Sequence, residues 1–201
     1  VPIYDRNPGQ ALPFIDEAQQ ILPTTTADHI AAFLWAVKAE AYAALGDAPN
    51  CFQALHSAEH LLERGRSGET SLCFQPEITS AVFDLTMFFG YKGSCLLHLN
   101  QSEEAQRLLY DQLAVVKEWP LLHQQSITLT DLATSFAQQT AIRQAYEHAT
   151  TALNYIEQTR SVRVFQRVLK LRHSLQPWAN TTYVKSLDEQ IDFVARDLVQ
   201  R

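Results

Sequence analysis

Apolar residues recur along most of this chain at intervals of three and four, the spacing of a helix that buries one stripe. The pattern predicts helices over 9–22, 27–45, 49–63, 76–99, 102–119, 122–139, 141–158, 161–175 and 181–199. No segment alternates with period two over a useful length, so no sheet is predicted. Breakers stand between the periodic segments rather than inside them. Pro49 and Pro76 occupy first-turn positions, where a missing N–H is harmless. Ser102 precedes Glu103 and Glu104 as an N-cap, and Thr182 stands near the last start. Gly46 and Asn100 stand where C-terminal caps belong, and Pro23, Pro120 and Pro177 close helices. Only 64–71, RGRSGETS, has the composition of a flexible loop.

The helices repeat in pairs. Around Ala39, Trp35 lies four before, Tyr42 three after, Gly46 seven after, Cys51 twelve after and Ala58 nineteen after. Around Gly93, the same offsets hold Phe89, Leu96, Asn100 and Ala105. Around Ala133 they hold Leu129, Phe136, Ala145 and Ala152. Small residues let two antiparallel helices approach closely at one crossing, and a large residue fills the gap beside it. Small residues seven apart on the second helix keep one face close over two turns. Each such hairpin is apolar on two sides and must stack on a neighbour.

These residues resemble the tetratricopeptide repeat (TPR) family. Trp35, Ala39, Tyr42, Gly46 and Ala58 carry the best copy. Gly93, Leu96 and Ala105 carry the next, and Ala133, Phe136, Ala145 and Ala152 the third. Ala11, Ala18 and Pro23 fit the end of a second helix. The copies are 54 and 40 residues apart rather than the family's 34, so longer helices and an insertion at 64–75 must absorb the excess. The resemblance implies an all-α fold, a right-handed α-solenoid of antiparallel helix hairpins with about nine helices. Its expected division is a half repeat over 1–23, repeats over 24–75, 76–120 and 121–160, and a divergent capping pair over 161–201, all in one array over 1–201. The first helix has no partner before it and Met87 is the only methionine, so residue 1 is expected to lie within a longer array. The segment 144–178 and the YVKSLDEQI that follows it resemble the C-terminal part of bacterial helix-turn-helix regulators with a TPR-like sensor.

Composition changes the picture in two places. Among 201 residues there are only six Gly and eight Pro, as expected of long helices with breakers confined to the joints. The net charge of −6 argues against a generic nucleic-acid surface. It is an average, however. Arg160, Arg163, Arg167, Lys170 and Arg172 make 160–172 a +5 stretch without an acid, so the other residues sum to −11. Cys51, Cys73 and Cys95 show no CxxC spacing. They read as small hydrophobes in a reduced, cytoplasmic protein. No apolar run reaches the ~20 residues of a membrane span.

Three constellations bear on chemistry. His56, Glu59 and His60 match the inverted zinc-peptidase pattern HxxEH, which would give two imidazoles on one helix face and a carboxylate base. Ala58 within it already serves as the repeat's contact residue, so a metal site is rejected and neither cofactor nor enzyme activity is expected. The glycines of FFGYKG read as close helix packing rather than phosphate binding. Arg163, Arg167 and Lys170 recur at i, i+4 and i+7 as one helix stripe, with Val164, Phe165, Val168, Leu169 and Leu175 on the other side. The stripe suits a carboxylate or phosphate, or else pairs with Glu157, Asp188 or Glu189. In the TPR family, positions one and five residues beyond the small contact residue line the concave groove. That implies Glu40, Ala44, Ser94, His98, Thr134 and Gln138 as groove residues. The family's carboxylate-clamp pattern of Lys and Asn is not evident.

The expected function is a peptide- or protein-interaction module, the ligand-sensing C-terminal region of a bacterial transcription regulator. The expected partner is a peptide or protein, with DNA reached only through another, N-terminal domain and no membrane involved. The alternative is a scaffold or homodimerisation module with no small ligand.

Overall fold

The computed structural model of the chain describes residues 8–23, 27–68 and 83–199. Among these the chain forms nine α-helices, one 3-10 turn and no strand. The helices are α1 (Pro8–Ile21), α2 (Asp28–Ala44), α3 (Ala48–Gly68), α4 (Leu85–His98), α5 (Ser102–Val116), α6 (Leu122–Gln138), α7 (Ile142–Thr159), α8 (Val162–Ser174) and α9 (Thr182–Val199), with the 3-10 turn at Gln176–Trp178. The fold is all-α, as the periodicity implies.

Two boundaries differ from the sequence reading by more than a turn. The third helix continues past 63 to Gly68, into the stretch expected to be a loop. No proline stops it. Arg64 also anchors it to the start of α2, where Nε and Nη2 both donate to the Asp28 carboxylate at 3.0 and 2.5 Å. The fourth helix starts at Leu85 rather than 76. Asp84 is its N-cap, with a side-chain oxygen accepting from the Met87 N–H at 2.9 Å. Pro76 and the rest of the expected insertion lie outside the described residues.

The chain divides into two compact units, 1–101 and 102–201. In the first, α2 is central and packs on α1, α3 and α4. Its Ala32, Ala36, Ala39 and Ala43 form a fully buried ridge against Cys51, Ala54, Leu55 and Ala58 of α3 and Phe88 and Cys95 of α4. Ala41, on another side of α2, meets Ala11 and Ile15 of α1. A helix covered on three sides has little room for a polar face, which is why α2 is so rich in alanine.

In the second unit α6 is central, packing on α5, α7 and α8, while α7 also meets α8 and α9. Ala133, Ala137, Ala145, Ala149, Leu153, Ile156, Val164, Val168, Leu175 and Leu187 lie within one core. Of the small contact residues picked from the spacing, Ala11, Ala39, Cys51, Ala58, Gly93, Ala105, Ala133, Ala145 and Ala152 are buried, whereas Ala18 is half-buried.

The turns after α2, α4 and α6 share one geometry. Gly46, Asn100 and Thr140 adopt left-handed backbone, with φ of 76°, 59° and 58°. Each lies seven residues beyond its small contact residue. The next residue's N–H reaches back to Tyr42, Leu96 or Phe136 at 2.8–2.9 Å, and the left-handed residue's own N–H reaches Ala43, Leu97 or Ala137 at 3.0–3.1 Å. This doubly bonded stop satisfies carbonyls that the helix end orphans. The repeat read from side chains therefore has a backbone counterpart.

Candidate functional site

Position in a packed array, not residue type alone, decides which of the candidate residues reach solvent. In the first unit, Glu40 of α2 and Ser94 of α4 are buried, at 3% and 5% exposure. They meet each other, Ser94 Oγ donating to Glu40 Oε1 at 3.5 Å. Positions expected to line an open groove thus lie between two neighbouring helices here, because α2 and α4 pack directly. His98, the last residue of α4, is exposed.

In the second unit the candidates fall on α6 and α8, which pack together. Thr134 is half-buried and donates its hydroxyl to the Thr130 carbonyl at 2.9 Å. Gln138, the last residue of α6, is exposed. Along α8, Arg163 and Lys170 are exposed and Arg167 between them is half-buried. Arg167 Nη1 lies 3.5 Å from Oδ2 of Asp131, a buried acid on α6. Val164, Phe165 and Val168 fill the opposite side of α8, so packing holds the stripe outward.

Arg160 and Arg172, at the two ends of the basic stretch, pair with acids of α9. Arg160 binds both the carboxylate and the backbone carbonyl of Asp197 on α9. Arg172 forks onto Asp188, also on α9, with Nη2 to Oδ2 at 2.9 Å. These pairs pin both ends of the α8 region to α9. Of the acids expected to pair with this stretch, Asp188 does so. Asp131 and Asp197 do as well, and neither was expected.

The sequence reading missed Asp131. It stands two residues before Ala133 in an otherwise apolar and hydroxylic run, and an acid at such a place needs a partner. It also missed His123 at the start of α6. The surrounding protein, and then the Arg163 charge, hold this imidazole below its ordinary value. A third feature links three helices of the second unit. His148 of α7 stacks on Phe136 of α6 at 5.2 Å and 9°, and its Nε2 lies 3.3 Å from the Tyr110 hydroxyl of α5. Burial holds His148 below its ordinary value; Glu147 opposes that and Lys117 adds to it.

The HxxEH residues do not converge. His56 and His60 are exposed, whereas Glu59 faces α4, 3.5 Å from Lys92 Nζ. Among the described residues no group of three or more His, Cys, Asp or Glu is placed to hold a metal ion. No described helix is long and apolar enough to cross a membrane.

Arg163 and Lys170 are seven residues apart, so about 10 Å separates their Cα atoms along the helix axis. An extended peptide in the polyproline II form rises about 3.1 Å per residue with three residues per turn, so every third side chain shares a face. Two acids three positions apart in such a peptide would match that span. Comparison with family models, with curated proteins and with solved structures found no match.

Proposed function

We propose that this chain is a TPR-like interaction module that binds an extended acidic peptide, or an acidic segment of a protein, along α8. The observation that carries this reading is the pair of exposed cations Arg163 and Lys170. They stand two turns apart on one stripe of α8, which packs on α6, the helix that carries the polar Thr134 and Gln138. Cations at that spacing suit two carboxylates on one face of a polyproline II peptide, and amide and hydroxyl side chains suit a peptide backbone. The repeat of hairpins and the regulator-like C-terminal part support a wider role. In it the chain is the cytoplasmic ligand-sensing region of a bacterial transcription regulator, without catalysis of its own and with DNA bound by another domain.

Calorimetric titration with a peptide bearing Glu at positions i and i+3, and with its Gln counterpart, tests the reading. The Glu peptide should bind, and Lys170→Glu should weaken it roughly tenfold, about 1.4 kcal/mol. Equal binding of the two peptides, or binding of neither, refutes it. Lys170 is exposed, so its substitution leaves the core intact.

One observation favours the alternative scaffold or homodimer reading. Phe14 and Ile21, two turns apart on α1, are 64% and 75% exposed. Sedimentation equilibrium distinguishes the two: a strict monomer at high concentration, unchanged by Phe14→Ser, counts against self-association.

A further inference from the structure

Two of the three cysteines are neighbours in the first unit, and nothing in the proposed binding role uses them. Cys51 lies in the first turn and a half of α3, and Cys95 in the last turn of α4. Both are free, both are 0% exposed, and both belong to the same core cluster. Topology brings them together. The α2–α3 connection is a tight turn, and α4 lies beside both helices. The Glu40–Ser94 contact sets the C-terminal half of α4 beside that of α2, where α3 begins. The surrounding Ala39, Ala43 and Ala54 keep the backbones close. The two thiols are near enough to act directly on each other's ionisation.

We propose that Cys51 and Cys95 are a paired redox site that closes to a disulfide when the protein meets a peroxide, tying α3 to α4. The two sulfurs have different roles. Interaction with the Cys95 thiol draws the Cys51 thiol below its ordinary value, against burial and the Asp47 charge. The same interaction, then burial, with the Cys51 and Glu40 charges adding, pushes Cys95 well up. A position near a helix N-terminus further favours the Cys51 thiolate. Only a few residues separate Cys51 from the exposed turn at Leu45 and Gly46, so a water-sized oxidant needs only a local opening.

The chemistry balances in two steps. The Cys51 thiolate attacks one peroxide oxygen and the O–O bond breaks. The departing hydroxide takes a proton and leaves as water, and Cys51 becomes a sulfenic acid. The Cys95 sulfur then attacks the Cys51 sulfur and the S–O bond breaks. The oxygen leaves as water with the Cys95 proton. One peroxide is reduced to two waters, and two thiols are oxidised to one disulfide.

The test uses the full chain carrying Cys73→Ser, so that the third cysteine cannot exchange. Hydrogen peroxide should remove two hydrogens from the intact mass and yield a single cross-linked peptide containing Cys51 and Cys95. The monomer's thermal midpoint should rise by about 5 °C. Dithiothreitol should reverse all three changes. Cys51→Ala and Cys95→Ala keep a small apolar side chain in the core. In the Cys73→Ser background, neither should form the cross-link, and Cys95→Ala should trap Cys51 as a sulfenic acid that a dimedone probe labels. Three results overturn the proposal: both thiols persisting under peroxide in the folded protein, cross-links forming only between chains, or a midpoint that falls as the cross-link forms.

Discussion

At Thr140 a β-branched side chain sits on left-handed backbone, φ 58°, at a turn where the first hairpin has Gly46 at φ 76°. A Cβ in this region is crowded by the following carbonyl, and a second branch at Cβ adds to that. The cost is tolerated because the two returning hydrogen bonds to Phe136 and Ala137 overdetermine the turn. Thr140→Gly should therefore stabilise the protein by about 1 kcal/mol, and Gly46→Ala should destabilise it by a similar amount. A Cβ at Gly46 would meet nothing within 4 Å, so the second effect arises from backbone conformation alone. Urea unfolding of the two variants checks both signs. If Thr140→Gly is destabilising, its side chain contributes something that outweighs the strain.

At the scale of the element, α6 carries more polar residues in its interior than its neighbours do. Gln125, Ser126, Thr128, Thr130, Asp131 and Ser135 are all buried. The hydroxyls are satisfied locally: Thr130 donates to the Ser126 carbonyl and Ser135 to that of Leu132, both at 2.7 Å. Such residues fill the volume of small apolar ones without leaving an orphaned donor. Gln125 works between helices, as do Thr128, which donates to Gln112 of α5 at 2.9 Å, and Asp131. The Gln125 Nε2 donates to the Val116 and Trp119 carbonyls at 3.0 Å each, closing the end of α5 that the helix itself leaves open. Gln125→Leu should cost about 1 kcal/mol by removing two hydrogen bonds from carbonyls that then keep only the Trp119 and Leu121 backbone N–H groups. The loss should appear in denaturant melts, and hydrogen exchange should rise at the α5–α6 turn. Unchanged exchange there would show that another group satisfies those carbonyls.

At the scale of the molecule, histidine protonation makes stability depend on pH. His148 and His123 are both held below their ordinary value in the folded chain. An unfolded imidazole titrates at about 6.5, so below that pH the unfolded chain takes up protons that the folded one resists. The contribution is fully present above pH ~6.5 and is lost as pH falls through the lower folded values. Unfolding free energy should thus drop between pH 7.5 and 5.5. His148→Gln, which keeps a polar group facing Tyr110, should flatten part of that drop. An unchanged slope in that variant would place the effect elsewhere.

How far the sequence reads through to this structure follows from the range of each interaction. Helix positions, the small contact residues Ala39, Ala58, Ala133 and Ala152, and the stops at Gly46 and Asn100 were legible because periodicity and capping act within a few turns of chain. The strained stop at Thr140 was not, since threonine does not advertise left-handed backbone. The extension of α3 through 64–68 was hidden too. Its composition reads as a loop, and its anchor, Asp28, lies 36 residues away. The basic stretch was legible as a +5 segment, but its fate was not. Asp131, Asp188 and Asp197 engage Arg167, Arg172 and Arg160 only because α6 and α9 pack against α8.

By itself, then, the sequence determined the all-α fold, most of the helices and the small contact residues that Ala39, Ala58, Ala133 and Ala152 exemplify, because local hydrogen bonding and apolar burial are encoded at spacings of three, four and seven. The tertiary structure alone decided that Glu40 and Ser94 are enclosed while Arg163 and Lys170 face water, and that Cys51 and Cys95 share one core. Those outcomes depend on which helix lies against which, and that is settled by contacts between residues tens of positions apart.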